Sequence, residues 1–143
     1  MGHISIIYGN IIGAPCYRDR ALHRINKSVI ESLPIDDKKW PRIERSMFLV
    51  PDPDLSKLYR DQVIVFGTSY KEVEQDWEEW LQKFESILME LYWISATVHL
   101  ETELIGTHTY EWVYDSNQPD NFVSENPKPT SKWNFSGGPR KFY

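Results

Sequence analysis

The sequence predicts an α+β domain, a compact α/β sandwich, and three observations carry that expectation. Short segments rich in Ile, Val and aromatic residues alternate with two segments whose apolar residues recur every three or four positions. The 143 residues are 41% hydrophobic and 14% aromatic, enough to build one core. No internal repeat imposes a repeat architecture, and a polar, turn-rich stretch follows Asp115. The expected organisation is a single domain over residues 1–125 and an irregular tail over 126–143.

Residues 3–8 read as a strand, with Gly9 and Gly13 placed to turn or kink its continuation. Leu22, Ile25, Val29 and Leu33 then form one helical stripe, with Asp19 as the N-terminal acid, Pro34 as the stop, and His23, Arg24 and Lys27 off the stripe. Residues 47–50 form a short strand stopped by Pro51 and Pro53. Residues 62–66 form a stronger one, whose unbroken apolar run suits burial on both faces, with Gly67 as its exit.

Ser69 and Glu72 have the spacing of a capping box at the start of a second helix that runs to Glu90 or Leu91. Val73, Trp77, Trp80, Leu81, Phe84, Ile87, Leu88 and Leu91 make its apolar face. A hairpin follows, pairing Val98 with Trp112, Leu100 with Tyr110 and Thr102 with His108 around a loop of Leu104, Ile105 and Gly106. That register puts Val98, Leu100, Tyr110 and Trp112 on one face and His99, Glu101, Glu103, Thr107, Thr109 and Glu111 on the other.

The order β-α-β-β-α-β-β resembles a ferredoxin-like α/β sandwich with an additional C-terminal strand. In its acidity and small size the chain is also similar to bacterial immunity-type domains, which bind a partner toxin. That resemblance assigns no residue a role.

Charge is unevenly spread. Residues 1–60 hold ten bases and seven acids, residues 61–125 two bases and fourteen acids, and the last eighteen residues four bases and no acid, which sums to the net charge of −5. The acidic middle repels nucleic-acid phosphates and attracts cationic groups, so no nucleic-acid partner is expected. No stretch reaches the roughly 18 consecutive apolar residues of a membrane span. The single Cys excludes an internal disulfide framework, and the expected location is the cytoplasm.

Four chemistries compete for the polar residues. His99, Glu101 and Glu103 share a strand face, but same-face positions lie roughly 6.6 Å apart, so joint metal ligation is strained and neither a metal nor a cofactor is expected. His99, Glu101 and Glu111 form the alternative catalytic patch, in which a carboxylate orients an imidazole for proton transfer to a small molecule. Cys16, beside Arg18, Arg20 and His23, lacks a placed activating base. The Met1-Gly2-His3 terminus and the Gly9/Gly13 spacing point to no specific site.

The leading expectation is a protein-binding domain that sterically masks a basic partner, as a toxin-neutralising immunity protein does. Asp76, Glu78, Glu79 and Glu111 are the expected steering acids, and Tyr92 and Trp93 the expected aromatic anchors. The alternatives are a small-molecule-binding or hydrolytic enzyme using the His/Glu patch, and a structural homo-oligomer.

Overall fold

The computed structural model describes residues 3–15, 20–54, 61–115, 122 and 126–143. The expectations for Met1, Gly2, Cys16, Arg18 and Asp19 lie outside these residues. Among the described residues there are six strands and two α-helices: β1 (Ile4–Pro15), α1 (Ala21–Glu31), β2 (Phe48–Leu49), β3 (Asp61–Lys71), α2 (Trp77–Leu88), β4 (Trp93–Thr102), β5 (Gly106–Tyr114) and β6 (Trp133–Gly137). The strands form one sheet in the order β2-β3-β1-β4-β5-β6, with every neighbouring pair antiparallel. The sheet is mixed with two helices in an α+β fold and does not close into a barrel.

β1 occupies a central position because its apolar residues can serve two neighbours at once. It pairs with β3 from Ile4↔Lys71 to Ile12↔Val63 and with β4 from Ser5↔Thr102 to Ile12↔Ser95. Gly9 does not turn the chain. It stays in the strand because the backbone of β4 crosses closely, and a Cβ there would stand 1.9 Å from the Thr97 carbonyl oxygen. Gly13 sits where both registers slip, so the expected kink falls there.

Alternation along the strands sends Ile7, Ile11, Ile64, Phe66, Val98, Leu100, Tyr110 and Trp112 into one core with both helices. α2 supplies most of the opposing layer. Trp77 stacks on Trp80 at 5.0 Å between ring centroids, Trp80 on Phe84 at 5.2 Å, and Phe84 meets Trp112 at 5.3 Å. The apolar face expected of this helix is therefore buried, but the helix starts later. Ser69 remains in β3, Glu72 adopts a left-handed φ of 56°, and a 3-10 turn spans Val73–Asp76 before α2 begins. Pairing of Lys71 with Ile4 holds Ser69 in the sheet and overrides its capping potential.

α1 keeps part of its expected stripe, with Val29 and Leu33 packed against the core, but its most buried positions are shifted. His23, Asn26 and Ile30 point inward, while Ile25 is exposed. Hydrogen bonds explain why His23 and Asn26 turn inward. His23 Nε2 donates to the Ala14 carbonyl at 2.6 Å, and Asn26 Nδ2 donates to Gln62 Oε1 at 3.0 Å and to the Tyr92 carbonyl at 2.9 Å. Asn26 Oδ1 accepts from the Tyr92 N–H at 2.8 Å, and Gln62 Nε2 donates to the His23 carbonyl at 3.1 Å. These buried hydrogen bonds tie α1 to β1, β3 and the entry of β4, while His23 Nδ1 is buried without a partner.

Two further expectations are corrected. β3 continues through Gly67 to Lys71, and it is buried on one face only: Gln62, Ile64 and Phe66 are covered, Val63 and Val65 exposed. Both helices lie on the same side of the sheet, so an apolar run does not imply two covered faces. The tail also contributes structure, because residues 133–137 form β6 and pair with residues 110–114. Arg140 then secures this edge, contacting Glu85 at 2.6 and 3.1 Å and Glu78 at 3.3 Å, with its guanidinium 4.8 Å from the Phe135 ring centroid.

Candidate functional site on the open sheet face

Because both helices cover one face, the other face of the sheet stands open. Side chains reach it from alternate positions of each strand. Register places Leu49, Val65, Asn10, Thr97, Glu111 and Ser136 in one row across the sheet. Flanking rows carry Val63, Ile12, Ser95 and Val113 on one side, and Gly67, Tyr8, His99 and Thr109 on the other. Ser69, Ile6, Glu101 and Thr107 follow.

The face divides into two halves. β1, β2 and β3 present Ile4, Ile6, Tyr8, Leu49, Val63 and Val65, which are between 40% and 69% exposed. β4 and β5 present Ser95, Thr97, His99, Glu101, Thr107, Thr109 and Glu111, with exposed Val113 near the end of β5. An apolar field bordered by polar groups is the composition that marks interaction surfaces.

Fixed contacts run along the boundary. The Tyr8 hydroxyl donates to Glu101 Oε1 at 2.9 Å, and the Tyr8 ring lies 4.9 Å from the His99 ring. This hydrogen bond to a carboxylate, more than desolvation, holds the Tyr8 hydroxyl above its usual pKa of 10.0, so it stays protonated as a donor. His99 Nδ1 is 2.9 Å from Thr109 Oγ1, and His3 Nδ1 is 3.0 Å from Glu103 Oε2.

The hairpin register differs from the expected one, though the faces are preserved. Val98 pairs with Tyr110, Leu100 with His108 and Thr102 with Gly106, which leaves Glu103, Leu104 and Ile105 as the loop. Gly106 takes a φ of 78°, the left-handed value that the turn requires, and it does so at the first position of β5. A two-residue change in pairing keeps every side chain on its face while moving its neighbours. His99 consequently lies opposite Thr109, and Glu111 lies opposite Thr97. His108 reaches the covered side, where Nε2 meets the Ile105 carbonyl at 2.8 Å.

His99, Glu101 and Glu111 therefore share the open face as expected but have separate neighbours. Glu101 engages Tyr8 and His99 engages Thr109. Among the described residues, no group of three or more His, Cys, Asp or Glu side chains is arranged to hold a metal.

The expected partner-contact residues do not converge. Glu111 faces the open side, whereas Asp76, Glu78 and Glu79 lie on the helical layer across the sheet. Asp76 Oδ2 accepts from Trp40 Nε1 at 2.8 Å, Glu78 is paired with Arg140, and Glu79 is exposed. Tyr92 and Trp93 are core residues rather than anchors. Tyr92 is 8% exposed with its hydroxyl donating to the Pro127 carbonyl, and Trp93 is fully buried with Nε1 donating to the Leu88 carbonyl.

Sequence reasoning missed the apolar half of the site, namely Ile4, Ile6, Leu49, Val63 and Val65. Part of the signal was present in the element order, since two helices are too few to cover both faces of the five expected strands. Comparison with family models, curated proteins and solved structures returns no match.

Proposed function

We propose that this chain is a protein-binding domain that masks a basic partner with the open face of its sheet, in the manner of a toxin-neutralising immunity protein. The single observation that carries this reading is the juxtaposition of an exposed apolar half with a polar half that carries Glu101 and Glu111 on one continuous sheet face. Apolar groups supply contact area, while Glu101 and Glu111 steer a cationic patch and fix its orientation. Strand order β2-β3-β1-β4, with both helices on one side, supports a ferredoxin-like reading of the fold, extended by β5 and β6. A lone Cys, and the absence among the described residues of a helix long and apolar enough to cross a membrane, support a cytoplasmic setting.

Charge favours a different molecule over a second copy as the occupant. A two-fold axis across the strands would set carboxylates against carboxylates. An axis along the strands would set the apolar half against the polar half and its two carboxylates. Only a strongly offset dimer escapes both penalties.

Capture from the native cell with matched variants tests the reading. Wild-type protein and Glu79→Lys should retain the same basic protein, and Glu101→Lys combined with Glu111→Lys should lose it at least about tenfold, with the loss growing at low salt. Equal retention by the double variant contradicts the proposal. A sedimentation shift to a dimer that the double variant abolishes would assign the face to self-association instead.

A further inference from the structure

We propose a second site, at the β3 edge of the sheet where Ser69 and Lys71 border the open face, in the groove between the loop of residues 40–47 and the end of β3: it binds a planar ring that carries an anionic group. β2 pairs with β3 only at Phe48↔Phe66 and Leu49↔Val65, so the segment from Gly67 to Lys71 of this eleven-residue strand has no strand beside it on that edge among the described residues. The space left is about 300 Å³, lined by residues that include Trp40, Arg42, Glu44, Ser69, Tyr70 and Lys71. That volume lies at the lower end of the range for small-molecule sites.

The lining has the chemistry of an aryl anion's complement. Arg42 and Lys71 are exposed cations whose side chains have no hydrogen-bond or ion-pair partner among the described residues, in a chain of net charge −5. Most of its other described basic side chains are engaged: Lys27 with Glu31, Lys38 with Asp36, Lys83 with Asp37 and Arg140 with Glu85. Trp40 offers a flat ring that is 43% exposed yet fixed in place. Its Nε1 donates to Asp76 Oδ2 at 2.8 Å, and its ring meets Tyr70 edge-on at 5.7 Å and 89°.

The floor beneath is equally fixed. The Tyr70 hydroxyl donates to the Arg42 carbonyl and accepts from Trp80 Nε1 at 3.2 Å, which anchors the loop that carries Arg42. Glu44 is the acid in the lining, held in place because Oε2 accepts the Asp37 N–H at 2.8 Å and its side chain caps the turn at Met47; its single charge is set against the two cations of Arg42 and Lys71. Two unpaired cations beside a preorganised indole select for a ring and a negative charge together, through stacking and charge-assisted hydrogen bonds.

Titration followed by amide and indole N–H resonances tests this site with phenyl phosphate, phenylacetate, inorganic phosphate and benzyl alcohol as probes. Saturable shifts at the Trp40 indole and at Thr68–Lys71 with phenyl phosphate or phenylacetate are expected, the tighter of the two assigning the headgroup. Inorganic phosphate and benzyl alcohol should each bind at least about tenfold more weakly, and so should either aryl anion to the Arg42→Gln/Lys71→Gln double variant. Both substituted residues are exposed, and an otherwise unchanged spectrum verifies the fold. No saturable shift from either aryl anion, equal binding of inorganic phosphate or of benzyl alcohol, or full binding by the double variant would each overturn the proposal.

Discussion

Asp37 shows how one buried carboxylate organises a loop that lacks regular structure. Burial pushes its carboxyl upward, but the Lys83 ammonium and the N–H groups of Ile43 and Lys39 outweigh that and hold it below the ordinary carboxylate range. Lys83 Nζ also donates to the Lys39 and Pro41 carbonyls, each at 2.9 Å, so one ion pair closes the loop onto α2. A depressed folded-state pKa contributes stability that is present above about pH 4 and is lost as pH falls through the folded value. Asp37→Asn should therefore destabilise the protein by about 2–4 kcal/mol at pH 7, and its stability should fall less steeply in acid than that of the wild type. Urea unfolding between pH 7 and pH 3 checks this. Parallel curves for the two proteins would show that the pair does not govern the acid limb.

At the scale of elements, Arg140 does for the sheet edge what Asp37 does for the loop. Its bidentate contact with Glu85, more than its contact with Glu78, raises the guanidinium pKa further, and Trp112 Nε1 donates to the same Glu85 at 2.9 Å. Arg140→Gln should cost about 1–2 kcal/mol and speed hydrogen exchange at residues 133–137 while leaving β1 and β4 protected. Uniform loss of protection would mean that β6 is part of the cooperative core. The same element exposes the limits of local pattern. Arg140 lies 55 residues from Glu85, so spacing gives no hint of their contact, and Trp133–Gly137 offers too few apolar positions to announce a strand. α2 was legible because eight apolar residues at helical spacing bury together, and the inward and outward faces of β4 and β5 followed from alternation. α1 was misread because periodicity counts Ile25 as core and cannot see that Asn26 finds three buried partners. The hairpin register was two residues out because alternation fixes the face of a strand without fixing its neighbour. In the candidate site, Glu101, His99 and Glu111 were recognisable by type, whereas Ile6 and Val65 became part of it only through the sheet that joins them.

For the whole molecule, one-sided packing has the largest consequence. Six strands receive two helices on a single side, so the bare side must present to solvent whatever β1 and β3 carry outward. A chain constrained only by stability would favour polar groups at Ile4, Ile6, Val63 and Val65, since strand positions facing water need no apolar area. Their presence beside Glu101 and Glu111 is the feature on which the proposed interface rests. The expected acidic helix face has a different character: Asp76 holds Trp40, Glu78 holds Arg140, and the two expected rings are inside. Carboxyl footprinting of the protein with and without its captured partner tests the location of binding most directly. Protection of Glu101 and Glu111 with unchanged labelling of Glu79 and Glu90 is the predicted result, and protection of Glu79 and Glu90 with the sheet-face carboxylates still reactive would contradict it.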